Sequence, residues 1–260
     1  SMREAARRLD LTTYNVRIWE TPKAATPKEV DYTVIIVSTR YSRRLQAVLR
    51  SLAHQENILD DTFEVIVCYV PGIDATDDLL DSVQSAYPHL NLVRHPFPPM
   101  RENAKGFMIN EAAACANGGW IVLLDADTLV PPDFFERLNE APESAEFIAP
   151  DGRKMLTPET TAKILLGEIA PWKDWKNLVN GPGEYRRREA KSVPVGFCQV
   201  FPAQYLEEIP YAEFDHFEWA DMVFGKELLK RTGKAHRLSG MPVLHLDHGS
   251  SQWFGANKHF

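Results

Sequence analysis

The chain has 260 residues and a formal net charge of −7. Hydrophobic residues make up 44% and charged residues 25%, an ordinary globular mix with length for a substantial core, as one large α/β domain or two small ones. The acidic balance argues against nucleic acid as a partner, and no apolar run is long enough to span a bilayer.

Residues 1–30 read as an N-terminal arm, with Pro22 and Pro27 punctuating a linker. The first strong strand is Tyr32 to Val37, which ends in Ser38-Thr39-Arg40. Leu45, Val48, Leu49 and Leu52 then recur with helical spacing. Phe63 to Val70 predicts a second strand and Asp74 to Tyr87 a second helix. A short strand over Leu90 to Val93 and a Pro-rich loop lead to Arg101-Glu102-Asn103-Ala104-Lys105-Gly106. A small-residue helix over Phe107 to Ala116 ends at Gly118-Gly119. This alternation predicts a parallel sheet covered by helices on both faces.

The second half is less regular. Phe147 to Pro150 reads as strand, Pro158 to Ile169 as helix, and Trp172 to Glu189 as a polar, Gly/Pro-rich stretch carrying three arginines. Val193 to Phe201 returns to a strand pattern, Tyr205 to Arg231 is mostly helical, and Pro242 to Leu246 is a last strand. The tail from Ser250 to Phe260 reads as mobile, and Trp253 suggests a lid over a ligand. Cys68, Cys115 and Cys198 are scattered and odd in number, which fits reduced core residues rather than a disulfide frame or a zinc site. With no apolar leader at the start, a cytoplasmic location is expected.

The stretch with the clearest chemistry is Ile121 to Pro132. Four apolar residues run into Asp125-Ala126-Asp127, as in a buried strand that delivers two carboxylates to its carboxyl edge. Open α/β sheets bind ligands at that edge. Neighbouring carboxylates repel and lose solvation unless positive charge joins them, and a divalent cation shared with phosphates is the simplest candidate. The plainer reading is a loop start followed by an N-cap at Asp133.

The ordered set of motifs resembles a GT-A glycosyltransferase of the family 2 kind, with a galactosyltransferase-like C-terminal segment. It comprises Thr33 to Thr39, Leu49 to Gln55, Asn103 to Gly106 with Asn110, Leu123 to Asp127, Gly196 to Phe201, Glu218 to Asp221 with Leu228, and His245 to His248. The resemblance implies a GT-A fold, with a Rossmann-like, mostly parallel central sheet, helices on both faces and a smaller acceptor-side part. It implies one domain over residues 31–260, with a nucleotide-sugar half at 31–135 and an acceptor-binding, catalytic half at 136–260.

The implied activity is metal-dependent, inverting transfer of a sugar from a nucleotide-sugar donor, a UDP-sugar foremost, to a hydroxyl of a glycan or small-molecule acceptor. Asp127 and Asp125 would hold Mn2+ or Mg2+, with His245 or His248 as a further ligand. Ser38, Thr39, Arg40, Asp74, Arg101, Lys105, Asp125 and Ala126 would meet the donor. Asp221 is the candidate general base, and Glu218 its alternative. Trp172, Trp175, Gly196 and Trp219 are candidates on the acceptor side. The sequence departs from the family where the second strand ends in Cys68 to Gly72 instead of an Asp pair, and where Ala220 replaces a Glu. Two other readings follow: a catalytically impaired GT-A-like binding subunit, and a sugar-phosphate nucleotidyltransferase, which lacks its usual Gly-rich loop at Ser38 to Ser42. A peripheral membrane contact is compatible with each of them.

Overall fold

The computed structural model describes residues 30–187, 192–217 and 219–249. The expected arm, apart from Val30, and the expected mobile tail with Trp253 lie outside the described residues, as does Glu218.

Among the described residues, nine strands form one sheet. They are β1 (Val30–Ser38), β2 (Phe63–Tyr69), β3 (Leu92–Pro96), β4 (Gly118–Leu124), β5 (Thr128–Leu129), β6 (Ile148–Leu156), β7 (Gly183–Arg187), β8 (Cys198–Pro202) and β9 (His236–His245). The helices are α1 (Ser42–Ala53), α2 (Thr76–Ala86), α3 (Lys105–Ala113), α4 (Phe134–Asn139), α5 (Pro158–Leu165), α6 (Pro171–Asn180), α7 (Gln204–Glu208) and α8 (Ala220–Thr232). The strand order is β3-β2-β1-β4-β8-β6-β9-β5, with β7 added on β6.

The first four strands pair in parallel, as the βα alternation predicts. Val34 and Ile36 enter one core and Ile35 and Val37 the other, so β1 is buried on both faces. Leu45, Val48, Leu49 and Leu52 of α1 close the first core, and Met108, Ile109 and Ala112 of α3 close the second. Beyond β4 the sheet is mixed. β8 runs antiparallel to β4 and β6, β9 runs parallel to β6, and β5 runs antiparallel to β9.

The amino-terminal edge is fixed by a buried polar knot. Glu64 accepts from the Thr33 hydroxyl at 2.7 Å, the Asn117 amide N–H at 2.8 Å and the Asn117 side chain at 3.1 Å. The Gly118 N–H donates to Thr33 Oγ1. A Cβ on Gly118 would sit 2.4 Å from the Thr33 nitrogen, so only glycine allows β1 and β4 this approach.

Two stretches depart from the sequence reading. Trp172 to Glu189 contains helix α6, kinked at Asp174, and the edge strand β7. The partner of β7 is β6, some thirty residues earlier, and a pairing of that kind leaves little local pattern. Tyr205 to Arg231 splits into α7 and α8, with non-helical chain between them. Pro210 cannot donate in a helix, and Asn110 captures the next residue: its side-chain oxygen accepts from the Tyr211 N–H, and its amide donates to the Tyr211 carbonyl. Asp133 precedes α4 but makes no side-chain capping bond there.

Candidate active site

Asp125 follows β4 directly, and its N–H points to the Phe197 carbonyl at 3.4 Å. Lys105, at the start of α3, donates to Asp125 Oδ1 at 2.6 Å. Burial pushes the Asp125 carboxyl up, and Asp127 adds to this against the pull of Lys105. Lys105 is held above its usual value despite burial, by Asp125 first and then by Asp221 and Asp127. One lysine therefore sits in the field of three carboxylates.

The chain returns to this place through β9. Thr128 is in register with His245, and the Leu246 N–H donates to the Asp127 carbonyl at 2.9 Å. That pairing sets His245 Nε2 3.7 Å and His248 Nε2 3.1 Å from Asp127 Oδ2. One ligand atom from each of the three residues lies within 4.8 Å of the others. Burial alone would raise the Asp127 carboxyl, but His245, the hydrogen bond and charge of His248, and Lys105 outweigh it and hold the group below the usual carboxylate range. Burial lowers the His245 imidazole against the attraction of Asp127, which favours the neutral ring. Its Nδ1 is buried with no hydrogen-bond partner among the described residues. His248 is oriented from its other nitrogen, with Nδ1 3.1 Å from the Tyr41 hydroxyl. Arg44 donates to the Asp247 carbonyl at 2.9 Å, and the Asp247 N–H donates to Thr161, which secures the loop between the histidines. Both histidines approach Asp127, so the sequence alternatives are jointly placed.

A cavity of about 410 Å³ opens beside this cluster, lined in part by Thr39, Arg40, Lys105, Asp125, Ala126 and Asp127. Tyr41, Glu102, Asn103 and Phe217 also face it. Thr39 donates to the Glu102 carbonyl, and Arg40, at φ +59°, bonds the Glu102 side chain. Ser38 ends β1 with a buried hydroxyl. A larger hollow of about 700 Å³ lies between α5 and α6, but it contains none of the sequence-derived candidates.

Asp221 stands in the first turn of α8 and accepts the Gly196 N–H at 2.7 Å through Oδ2. A Cβ on Gly196 would come within 2.8 Å of that carboxylate, so this glycine makes room for it. Gln199 donates to the Asp221 carbonyl and to that of Pro194, and accepts the buried Tyr211 hydroxyl. Trp219 precedes the helix at φ +70°, with its side chain 65% exposed.

Other candidates fall elsewhere. Asp74 accepts the Thr76 N–H through Oδ1 beyond the cavity lining, within electrostatic reach of Arg40. Arg101 lies over the Phe107 ring at 4.0 Å and also does not line the cavity. Trp172 stacks on His54, with ring centres 3.8 Å apart, at the C-terminal end of α1. That is the end opposite Tyr41, roughly 18 Å away along the helix. Trp175 packs against the first core. Tyr41, Arg44, Glu102 and Phe217 were missed by the sequence reading. Tyr41 alone carried a signal there, as the next residue after Ser38-Thr39-Arg40.

Residues 27–209 match the family model described as "Glycosyltransferase like family 2". The chain belongs to that family. The fold agrees with the GT-A expectation. Structural similarity extends to S. aureus TarS 1–349, with TM-score 0.61, 16% identity, and coverage of 83% of this chain and 60% of that one. It extends also to the mannosyltransferase PcManGT from Pyrobaculum calidifontis in complex with GDP-Man and Mn2+, with TM-score 0.58, 18% identity, and coverage of 88% and 61%. A third is glucosyl-3-phosphoglycerate synthase from Mycobacterium tuberculosis in complex with Mn2+, uridine diphosphate and glucosyl-3-phosphoglycerate, at TM-score 0.52, 15% identity, and coverage of 91% and 77%. The chain thus spans about three fifths of the first two structures. No curated protein matches the chain. No helix among the described residues is long and apolar enough to cross a membrane.

Proposed function

We propose that the chain is a divalent-metal-dependent, inverting glycosyltransferase that uses a nucleoside-diphosphate sugar, a UDP-sugar foremost, and a hydroxyl of a saccharide or small-molecule acceptor. The observation that carries this reading is the joint placement of Lys105 with Asp125, and of Asp127 with His245 and His248, beside one cavity. Residues 31–135 serve the donor and 136–260 the acceptor and the chemistry. We read the protein as cytoplasmic.

The donor set of one carboxylate and two imidazoles fits Mn2+, or Mg2+ with more water in its shell. The buried, partnerless Nδ1 of His245 fits a ring whose role is not filled by protein contacts alone. When bound, the cation would stabilise charge on the leaving diphosphate. Lys105 supplies a fixed positive charge on the same side. Thr39, Arg40 and Asn103 border the space for the nucleoside. Asp221 takes the proton from the acceptor hydroxyl as its oxygen attacks the anomeric carbon and the bond to diphosphate breaks. The Gly196 N–H holds one of its oxygens and leaves the other for that proton. Ala220, buried at the position of the family's Glu, favours a second reading, a donor-binding subunit without turnover.

Calorimetric titration with UDP, with and without Mn2+, tests the proposal together with donor hydrolysis across a panel of UDP-sugars. We expect Mn2+ to tighten UDP at least tenfold and slow UDP release from one sugar. Equal affinity with and without metal overturns the metal role. Binding without hydrolysis selects the impaired subunit, and pyrophosphate release from a nucleoside triphosphate selects a nucleotidyltransferase.

A further inference from the structure

Gln199 is a fully buried amide in the middle of β8, between Cys198 and Val200. It is in register with Leu123 of β4 and leaves the sheet on the same face as Phe201, toward the second core. Nothing in this apolar strand calls for an amide, and a buried amide costs stability unless its hydrogen-bonding groups are met. Here both ends are met. Nε2 donates to the Pro194 carbonyl at 2.8 Å and the Asp221 carbonyl at 3.2 Å, and Oε1 accepts from the Tyr211 hydroxyl at 2.9 Å. Two carbonyls at one end and a hydroxyl at the other fix which way round the amide sits. Burial first, then the charges of Asp221 and Asp125, push the Tyr211 phenol well above its usual value, so it stays a donor.

These bonds lead to the mount of Asp221. The Asp221 carbonyl belongs to the first turn of α8, and Pro194 stands two residues before Gly196, whose N–H donates to Asp221 Oδ2 at 2.7 Å. Gln199 thus bridges the two segments that hold the carboxylate. Gly225, one turn further along α8, lets the helix approach: a Cβ there would come within 2.6 Å of the Pro194 carbonyl oxygen and 3.1 Å of Gln199 Nε2. The backbone of Tyr211 is held in turn by Asn110 of α3, the helix that begins at Lys105. One chain of hydrogen bonds therefore runs from the helix of the lysine to the helix of the carboxylate.

We propose that Gln199, oriented by Tyr211, is a positioning residue for Asp221. The proposal rests on the glycosyltransferase reading above, in which Asp221 is the base. Gln199 is fully buried and touches no reactant; it fixes where the Asp221 carboxylate stands relative to Gly196 and Lys105.

The test uses the full chain with Mn2+ and the UDP-sugar that it hydrolyses fastest. Gln199→Met removes all three bonds, and Tyr211→Phe removes only the hydroxyl while keeping the ring against Phe224. We expect kcat to fall about tenfold in the first and about threefold in the second, with KM for the UDP-sugar changed less than about twofold. In an Asp221→Asn background, either substitution should lower kcat by no more than about 1.5-fold further, because the residues act as a unit. Exchange of the Gly196 amide hydrogen should quicken about tenfold in both single variants, with the β1 amides unchanged. Losses that persist in full in the Asp221→Asn background, or unchanged kcat in both single variants, overturn the proposal. Gln199→Met leaves two carbonyls and a hydroxyl without a partner, so Tyr211→Phe gives the answer if the first variant fails to fold. If Asp221→Asn keeps full turnover, or the parent protein hydrolyses no UDP-sugar, the base reading falls and Gly196 exchange decides the rest. Quickened exchange then upholds the positioning of Asp221, and unchanged exchange overturns it as well.

Discussion

Two buried carboxylate clusters sit at opposite edges of the same strands. At the amino edge, Glu64 accepts three hydrogen bonds from neutral donors, all within the β1, β2 and β4 neighbourhood. At the carboxyl edge, Asp125 is held by the charge of Lys105, and Asp127 lies against the imidazoles of His245 and His248. The first cluster answers its own polar demand. The second gathers three carboxylates around one lysine and leaves His245 Nδ1 buried without a partner among the described residues. Completeness marks a structural knot, and a surplus of like charge marks a place prepared for a ligand. The two can be separated experimentally, because substitutions at the first should register as stability and those at the second as activity.

The largest expected effect is at Asp221. Asp221→Asn keeps an oxygen that can accept the Gly196 N–H, so the local fold is retained. It removes the proton acceptor, and general-base loss costs about 10²–10⁴ in rate. We expect kcat to fall about a thousandfold, roughly 4 kcal/mol of barrier, with UDP–Mn2+ affinity nearly unchanged. Steady-state kinetics and nucleotide titration on the same preparation measure both, and retained turnover would move the base elsewhere.

The comparison itself is tested by pairing Glu64→Ala with Asp127→Asn. Glu64→Ala takes the acceptor from the buried Thr33 hydroxyl, while water can reach the exposed Asn117 donors, at a cost of about 2 kcal/mol, a fall in Tm on the order of 6 °C. Its UDP affinity below the transition should be unchanged. Asp127→Asn should cost no more than about 1 kcal/mol in metal-free protein at pH 8, where burial keeps the His245 imidazole neutral and one carboxylate repulsion is relieved. It should abolish the response of UDP affinity to Mn2+. Thermal unfolding of the two variants, with and without UDP and Mn2+, reads both quantities. Equal destabilisation would erase the distinction between the clusters.

The first half of the fold was legible because its signals are local. Apolar runs such as Val34 to Val37 and Ile121 to Leu124 are contiguous, and α1 shows its period within one helix. Asp125 and Asp127 were legible for the same reason, at the end of the Ile121 to Leu124 run, whereas Lys105 was singled out through the resemblance. The second half depends on distant pairings: β7 on β6, β5 on β9, and the Asn110 bond that fixes Tyr211. Periodicity carries none of these. His245 and His248 were found through the resemblance, but their joint approach to Asp127 follows from β5–β9 register. Trp172 was singled out as an aromatic in a polar stretch, and its stacking on His54 is a long-range contact that periodicity does not carry.

The smallest effect tests whether the carboxyl-edge cluster is oriented by its surroundings as tightly as Glu64 is. Tyr41 follows the β1 loop and reaches His248 Nδ1 at 3.1 Å, with the two rings 5.4 Å apart and edge-on. With the proton of neutral His248 on Nε2, toward Asp127, Nδ1 accepts from the tyrosine hydroxyl. With a cation at Nε2, the proton moves to Nδ1 and donates back to the same oxygen, so the contact survives either tautomer. Tyr41→Phe keeps the ring packing and deletes only that contact. Removing a partner of this kind weakens metal sites about 10–100-fold, and because Tyr41 is partly exposed we expect the lower end, about tenfold or roughly 1.4 kcal/mol in Mn2+ affinity. The metal-free Tm should hold within a few degrees. A Mn2+ titration at saturating UDP measures the first and thermal unfolding the second. Unchanged Mn2+ affinity would mean that the β5–β9 register alone sets the histidines.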